Sequence, residues 1–274
     1  MYAIVNDQLI NKESAWISPF SPGVQYGYGV FETIKVYCGE AIFLQEHFAR
    51  MKDALAFLQI EQNMDIHSIA QQSDRLIKAN QLDNGHLKII CMRGEQNAIQ
   101  WVFTSGEKQY KSEYQRGYKI CLSTIRRNES SPLCRIKSLN YLENILQHDQ
   151  AIQQGFDEAV FLNTQGQVCE GTISNIFWLK DHHLFTPSVA CGLLPGIVRQ
   201  KVIDLCTELE MVVSVGIFGL DDVRNAEAVF LTNSLMDIMP VNQFENKTLK
   251  QDPRNEILKL MDLYKNRYYR DSFH

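Results

Sequence analysis

Several features are scarce in this chain, and each scarcity removes a class of function. No apolar run reaches the roughly 20 residues that a membrane-spanning helix needs. Met1-Tyr2-Ala3-Ile4-Val5-Asn6 carries neither the basic segment nor the long apolar core of a secretion signal. The expectation is a cytoplasmic protein with no membrane partner. The 7 cysteines are odd in number, widely spaced and without a Cys-x-x-Cys pair, which argues against a disulfide framework and a thiolate zinc site. Histidines at His-x-x-x-His spacing are missing too, and His182-His183 reads as part of a polar hairpin turn, so no metal is expected. Clustered positive charge is also lacking: the net charge is −5, and the basic residues are scattered, giving no general field for nucleic acid. A small-molecule substrate becomes the default partner.

What is present is enough apolar material for two cores. A length of 274 residues with 45% hydrophobic content suits two domains. Residues 2–5 and 8–10 alternate around Asn6-Asp7, predicting a hairpin. The glycine-rich stretch from Gly23 to Gly29 predicts a tight loop feeding a strand that runs to Tyr37. Apolar spacing predicts helices over Leu44–Ile60 and Ile66–Ala79, then strands over His86–Met92 and Ile99–Thr104. A polar, aperiodic stretch follows and predicts a linker. Beyond it the pattern gives a strand Tyr118–Thr124, a helix to about Gln154 and strands Glu158–Leu162, Ser174–Leu179 and Leu184–Thr186. Next come a helix from Pro195-Gly196 to about Met211, a short helix Leu220–Asn225, a strand Ala228–Leu231 and a last helix from Pro253 to about Asn266. The fold class is α+β: a small α+β N-terminal domain over 1–110, a linker over 111–117 and a larger β-rich domain over 118–274 that carries the key lysine.

That lysine is Lys137, between a turn-prone Glu129-Ser130-Ser131-Pro132 and a helical run with Leu142, Ile145 and Leu146. Flanked by Ile136 and Leu139, its amine can be partly desolvated and so made available for a Schiff base. Taken alone it reads equally as a surface lysine before a helix. Three separated features complete a chemical set: a helix-borne Arg50, a turn carboxylate Glu170, and backbone-rich stretches at Gly196 and Asn233. Pyridoxal phosphate needs such a set, because its aldehyde takes a lysine, its ring nitrogen an acidic partner and its phosphate an arginine and free N–H groups.

The order and spacing of these motifs resemble the fold-type IV pyridoxal-phosphate enzymes, the class-IV aminotransferase family. That family includes branched-chain and D-amino-acid aminotransferases and 4-amino-4-deoxychorismate lyases. The resemblance covers nearly the whole chain and rests on five motifs. They are Tyr26-Gly27-Tyr28-Gly29-Val30-Phe31-Glu32-Thr33-Ile34, His47-Phe48-Ala49-Arg50-Met51, Lys137-Ser138-Leu139-Asn140-Tyr141, Glu170-Gly171-Thr172-Ile173-Ser174-Asn175-Ile176-Phe177 and Leu194-Pro195-Gly196-Ile197-Val198-Arg199. It implies a two-domain, D-amino-acid-aminotransferase-like fold and pyridoxal 5'-phosphate as cofactor. Lys137 becomes the Schiff-base lysine and base, Glu170 the partner of the pyridine nitrogen and Arg50 a phosphate ligand. Tyr141, Gly196, Ile197, Val198, Asn233 and Ser234 are further cofactor contacts. Thr33 becomes a candidate for proton transfer, and Arg93 and Tyr28 candidates for the substrate. Tyr28 stands where the family often has Asp, and Arg93-Gly94 lacks the second Arg-Gly-Tyr of some lyases. Asn233-Ser234-Leu235-Met236 before Pro240-Val241 is similar to the lyases, which implies conversion of 4-amino-4-deoxychorismate to 4-aminobenzoate and pyruvate for folate synthesis. A branched-chain or D-amino-acid aminotransferase is the alternative, with a noncatalytic cofactor carrier as a remote one. The resemblance also implies a homodimer.

Overall fold

The computed structural model describes residues 1–249 and 255–269, and they form two compact units. The first comprises Met1–Gln109 together with Ile136–Tyr141; the second comprises Tyr110–Arg135 and the chain from Leu142 onward.

The first unit contains β1 (Tyr2–Val5), β2 (Gln8–Asn11), α1 (Pro22–Tyr26), β3 (Gly29–Tyr37), β4 (Glu40–Ala41), α2 (Leu44–Phe57), α3 (Ile66–Ala79), β5 (Gly85–Arg93) and β6 (Ile99–Glu107). Asn6 and Asp7 both adopt positive φ, 47° and 67°, the geometry of a tight two-residue hairpin turn between β1 and β2. The glycine-rich loop expected before β3 instead contains α1, started by Ser21, whose hydroxyl accepts from the Val24 N–H. The sheet order is β2-β1-β6-β5-β3-β4, antiparallel throughout.

Two helices cover one face of this sheet because both sequence periods point there. Along β3, Val30, Ile34 and Val36 enter the core, while Phe31, Thr33 and Lys35 alternate onto the opposite face. Met51 and Leu55 of α2 and Ile69 and Leu76 of α3 pack against Leu87, Ile89 and Phe103. Asp65 caps α3 by accepting from the Ser68 N–H at 2.8 Å. Leu55 is fully buried. Leu55→Ala is therefore expected to cost about 2–5 kcal/mol, read as a lower urea midpoint with an unchanged slope.

The lysine segment belongs by packing to this unit, although the sequence places it with the larger domain. Phe31 N–H donates to the Lys137 carbonyl at 2.8 Å, Leu139 N–H donates to the Gly29 carbonyl at 2.9 Å, and Val30 bridges Ser138 antiparallel. The segment thus extends the free side of β3. A Cβ at Gly29 would lie 2.8 Å from Leu139 Cδ1 and 2.6 Å from the Cys91 carbonyl oxygen, so this close approach requires glycine.

The second unit contains α4 (Lys111–Arg116), β7 (Tyr118–Arg127), α5 (Leu142–Gln153), β8 (Glu158–Asn163), β9 (Val168–Gly171), β10 (Asn175–Lys180), β11 (His183–Pro187), α6 (Ile197–Glu208), β12 (Val213–Gly216), α7 (Leu220–Arg224), β13 (Ala228–Asn233), β14 (Asp237–Phe244), β15 (Lys247–Thr248) and α8 (Glu256–Tyr268). The stretch expected as a linker folds as α4, and Pro253, the expected start of the last helix, lies outside the described residues. The strand order is β12-β11-β10-β13-β14-β7-β8-β9, with β15 on β14. Parallel pairs β7/β8 and β11/β12 are joined through α5 and α6, as parallel strands require a crossover. All of β8, and β10 as far as Leu179, are buried, the signature of a sheet covered on both faces. Ile120, Val160, Ile176, Trp178, Val229, Leu231 and Met239 form its core.

Candidate active site

The first unit gathers the expected lysine and arginine. Lys137 is half-buried, with Nζ 4.6 Å from the Phe31 ring centroid and 4.7 Å from that of Tyr141. The two rings meet edge to face at 5.2 Å and 86°. The aromatic faces attract the ammonium form, and they also keep water away from the nitrogen. Thr33 lies two residues along β3 from Phe31, on the same face. Tyr28 and Arg93 also come together: the guanidinium carbon sits 4.4 Å from the Tyr28 centroid, Arg93 Nη2 donates to the Gln59 carbonyl at 2.9 Å, and Tyr28 Oη donates to the Leu58 carbonyl at 2.8 Å.

Arg50 is fixed by a carboxylate for which the sequence reading had no role. Its Nε donates to Glu32 Oε1 at 2.8 Å and its Nη2 to Oε2 at 2.6 Å, a bidentate pair, while His47 Nδ1 donates to Oε2 at 2.7 Å. Glu32 is buried, which alone would raise its carboxyl; the Arg50 guanidinium and His47 outweigh this and hold it at about 2. Burial pushes His47 below its ordinary value against the pull of Glu32, and the positive charges of Arg50 and Lys137 act in the same direction as burial. The unfolded carboxyl titrates near its ordinary 4.5, so as pH falls the unfolded chain takes up this proton first. The stabilisation is complete above that value and gone below about 2. Removing the acidic group, as in Glu32→Gln, should therefore cost roughly 3 kcal/mol at neutral pH and flatten the decline in stability between pH 5 and pH 2. Urea melts across that range check it.

The second unit holds the expected carboxylate and anion-binding backbone. Glu170, at the end of β9, is buried; its Oε2 accepts from the Leu194 N–H at 3.0 Å and from Asn175 Nδ2 at 3.3 Å, and its Oε1 lies 3.4 Å from Arg127 Nη2. Arg127, itself buried, stacks 3.9 Å from the Phe161 centroid and also reaches Asn144 Oδ1 at 3.3 Å. Asn175 donates again to the Leu194 carbonyl at 3.0 Å and thereby ties Glu170 to the start of α6. Gly196 is the N-cap of α6 with no side-chain cap, so the Ile197 and Val198 N–H groups stand at the positive end of a helix dipole. A Cβ at Gly196 would fall 2.0 Å from Asn175 Oδ1. Only glycine fits there.

The Asn233-Ser234 turn is built by its own side chain. Asn233 Oδ1 accepts from the Leu235 and Met236 N–H groups, both at 2.9 Å, and Nδ2 donates to the Ile173 carbonyl at 3.2 Å. The Asn233 side chain is thus spent within the turn. Beneath it, the fully buried Glu158 accepts from the Thr172 N–H at 3.0 Å, the Ile173 N–H at 3.2 Å, Ser174 Oγ at 2.9 Å and the Thr172 hydroxyl. That one carboxylate shapes the turn joining Glu170 to Asn175.

Glu32, Arg127 and Glu158 carry no role in the sequence reading, yet each had a signal. Glu32 falls on the inward parity of a strand whose other inward residues are apolar, so a buried partner is required. Arg127 closes β7, and Glu158 opens an otherwise apolar strand.

These residues fit pyridoxal phosphate. Glu170 offers a buried carboxylate for a protonated ring nitrogen, the uncapped start of α6 suits a phosphate, and Lys137 presents an amine held between aromatic rings. Lys137, Arg50, Tyr141, Thr33, Tyr28 and Arg93 belong to the first unit; Glu170, Gly196, Ile197, Val198, Asn233 and Ser234 belong to the second.

Comparison with known proteins agrees. The family model for amino-transferase class IV matches residues 29–244. The aminodeoxychorismate lyase of Bacillus subtilis is 30% identical, over 95% of this chain and 92% of the relative. The D-alanine aminotransferase of Listeria innocua is 28% identical, over 94% and 92%. The crystal structure of the Escherichia coli branched-chain amino acid aminotransferase superposes with a TM-score of 0.90 at 21% identity, covering 97% of this chain and 94% of that one, and so shares the fold. The chain belongs to the class-IV aminotransferase family of pyridoxal-phosphate-dependent enzymes.

Proposed function

We propose that the chain is an aminodeoxychorismate lyase, converting 4-amino-4-deoxychorismate to 4-aminobenzoate and pyruvate. The observation that carries the reading is Asn233: its side chain makes three hydrogen bonds that define the turn, a task that the Gly-Thr or Ser-Thr sequences usual in aminotransferases of this family would not perform in the same way. The similarity to the Bacillus subtilis lyase supports it.

Pyridoxal phosphate, when bound, supplies an electron sink. Glu170 would pair with the ring nitrogen, and Arg127 pairs with Glu170 and holds it in place. The start of α6 and Arg50 hold the phosphate. Lys137 would hold the cofactor's aldehyde and, as a free amine, would be the general base for the proton on the ring carbon bearing nitrogen. The bond between the ring and the ether oxygen breaks, and the three-carbon fragment gains a proton and leaves as pyruvate. Aromatisation drives the step, so the protein has mainly to orient substrate and base. In this reading Thr33, on the face of β3 that carries Phe31, assists proton transfer, and Tyr28 with Arg93 meets the substrate. The reading includes a cytoplasmic homodimer whose product serves folate synthesis.

An aminotransferase is the second reading, favoured by the Lys137-Ser138-Leu139-Asn140 run and by the similarity to D-alanine aminotransferase. Incubating the cofactor-loaded protein with 4-amino-4-deoxychorismate and no keto acid separates the two. Equal amounts of 4-aminobenzoate and pyruvate are expected; turnover appearing only with an amino acid and keto acid pair would replace this reading with the second.

A further inference from the structure

The sheet face of the first unit that turns away from α2 and α3 carries a cation that neither the motifs nor the mechanism uses. Thr33 of β3 pairs with Lys88 of β5, and Phe31 pairs with Ile90, which puts Lys88 on the face of Phe31. Lys88 is half-buried, and burial lowers its amine below the ordinary value. Among the described residues Nζ has no carboxylate and no hydrogen-bond acceptor, and it lies 4.5 Å from the centroid of the Phe31 ring. Lys35 and His86, paired across the same two strands, share this face, and burial together with the Lys88 and Lys108 charges lowers the His86 imidazole below its ordinary value; Glu32 has the opposite parity and is taken by Arg50 and His47.

A half-buried ammonium without an anion is costly unless a ligand brings one. The Phe31 ring is also the one that Lys137 Nζ approaches at 4.6 Å, and distances of 4.5 and 4.6 Å to a common point cap the separation of the two nitrogens at 9.1 Å. Resting on the lyase reading, we propose that Lys88 is a specificity-determining residue that binds a carboxylate of the substrate remote from the amine reacting at Lys137. In 4-amino-4-deoxychorismate and in 4-aminobenzoate a carboxylate stands across the ring from the amine, about 6 Å away by ordinary bond lengths. An α-amino acid carries its carboxylate on the carbon next to the amine, which a cation placed to meet the remote group serves less well.

The test measures binding as well as turnover. Dissociation constants for 4-aminobenzoate and for aniline, which lacks the carboxylate, are determined by calorimetry on cofactor-loaded wild type, Lys88→Met and Lys88→Arg. Methionine keeps most of the apolar stem and removes the charge, and matching thermal melts establish that it folds. Lys88→Met should weaken 4-aminobenzoate roughly 10- to 100-fold, leave aniline unchanged and raise KM for 4-amino-4-deoxychorismate far more than it lowers kcat; Lys88→Arg should restore most of the loss. Equal effects on both ligands, or none on 4-aminobenzoate, would overturn the role of Lys88. Whether wild type turns over 4-amino-4-deoxychorismate without a keto acid is scored separately. Turnover with unaltered 4-aminobenzoate binding in Lys88→Met refutes Lys88 and leaves the lyase; no turnover refutes the lyase reading whatever the binding shows.

Discussion

Lys137→Ala should lose turnover by at least roughly 10³- to 10⁴-fold and should also lose the visible absorbance of covalently held cofactor. The expected loss is large because the proposal gives one nitrogen two tasks, holding the cofactor and then taking the substrate proton. Phe31 and Tyr141 position that nitrogen but cannot accept a proton from carbon at neutral pH. Among the described residues Lys88 also approaches the Phe31 ring, and its strand position is fixed by pairing with Thr33. Kinetics and absorbance spectra of the variant check the prediction together, since a variant that kept the absorbance would point to a different covalent lysine.

The second large effect is expected at Glu170. Glu170→Gln retains an oxygen able to accept from the Leu194 N–H but removes the negative charge that keeps a ring nitrogen protonated. Its kcat should fall roughly 10²- to 10³-fold, the scale of losing one well-placed electrostatic partner. Cofactor content should change little, because the proposed phosphate site at the start of α6 and Lys137 are untouched. A rate within about threefold of wild type would show that the ring nitrogen has another partner. Arg127 is the residue that makes the prediction sharp: with Glu170 neutralised, its buried guanidinium loses its buried counter-charge, so a modest loss of stability should accompany the loss of rate.

The longer helices were legible because their apolar residues recur at helical spacing; α3 begins and ends where that spacing predicts, whereas the short α1 and α4 fall where a loop and a linker were expected. Some short strands were not legible either. β4 and β15 are two residues each and β12 is four, too short to show a period. β14 was obscured by Pro240, which argues against a central strand; here Pro240 faces Phe230 in the β13 ladder, and pairing to β7 begins only at Val241. The site divides in the same way. Lys137, Glu170 and Arg50 could be proposed because their residue types match the needs of one cofactor in one order. Their supports could not, since Glu32 meets Arg50 across 18 residues and Arg127 meets Glu170 across 43, separations set by sheet pairing and by the turn that Glu158 organises. Lys88 was invisible for a related reason: a lysine in a strand becomes informative only once its face and its missing counter-charge are known.

Borohydride reduction followed by peptide mapping identifies the lysine bonded to the cofactor. A single phosphopyridoxyl label on the peptide containing Lys137 is expected. A label on Lys88 or on any other lysine, or none in protein that is yellow before reduction, would contradict that role for Lys137.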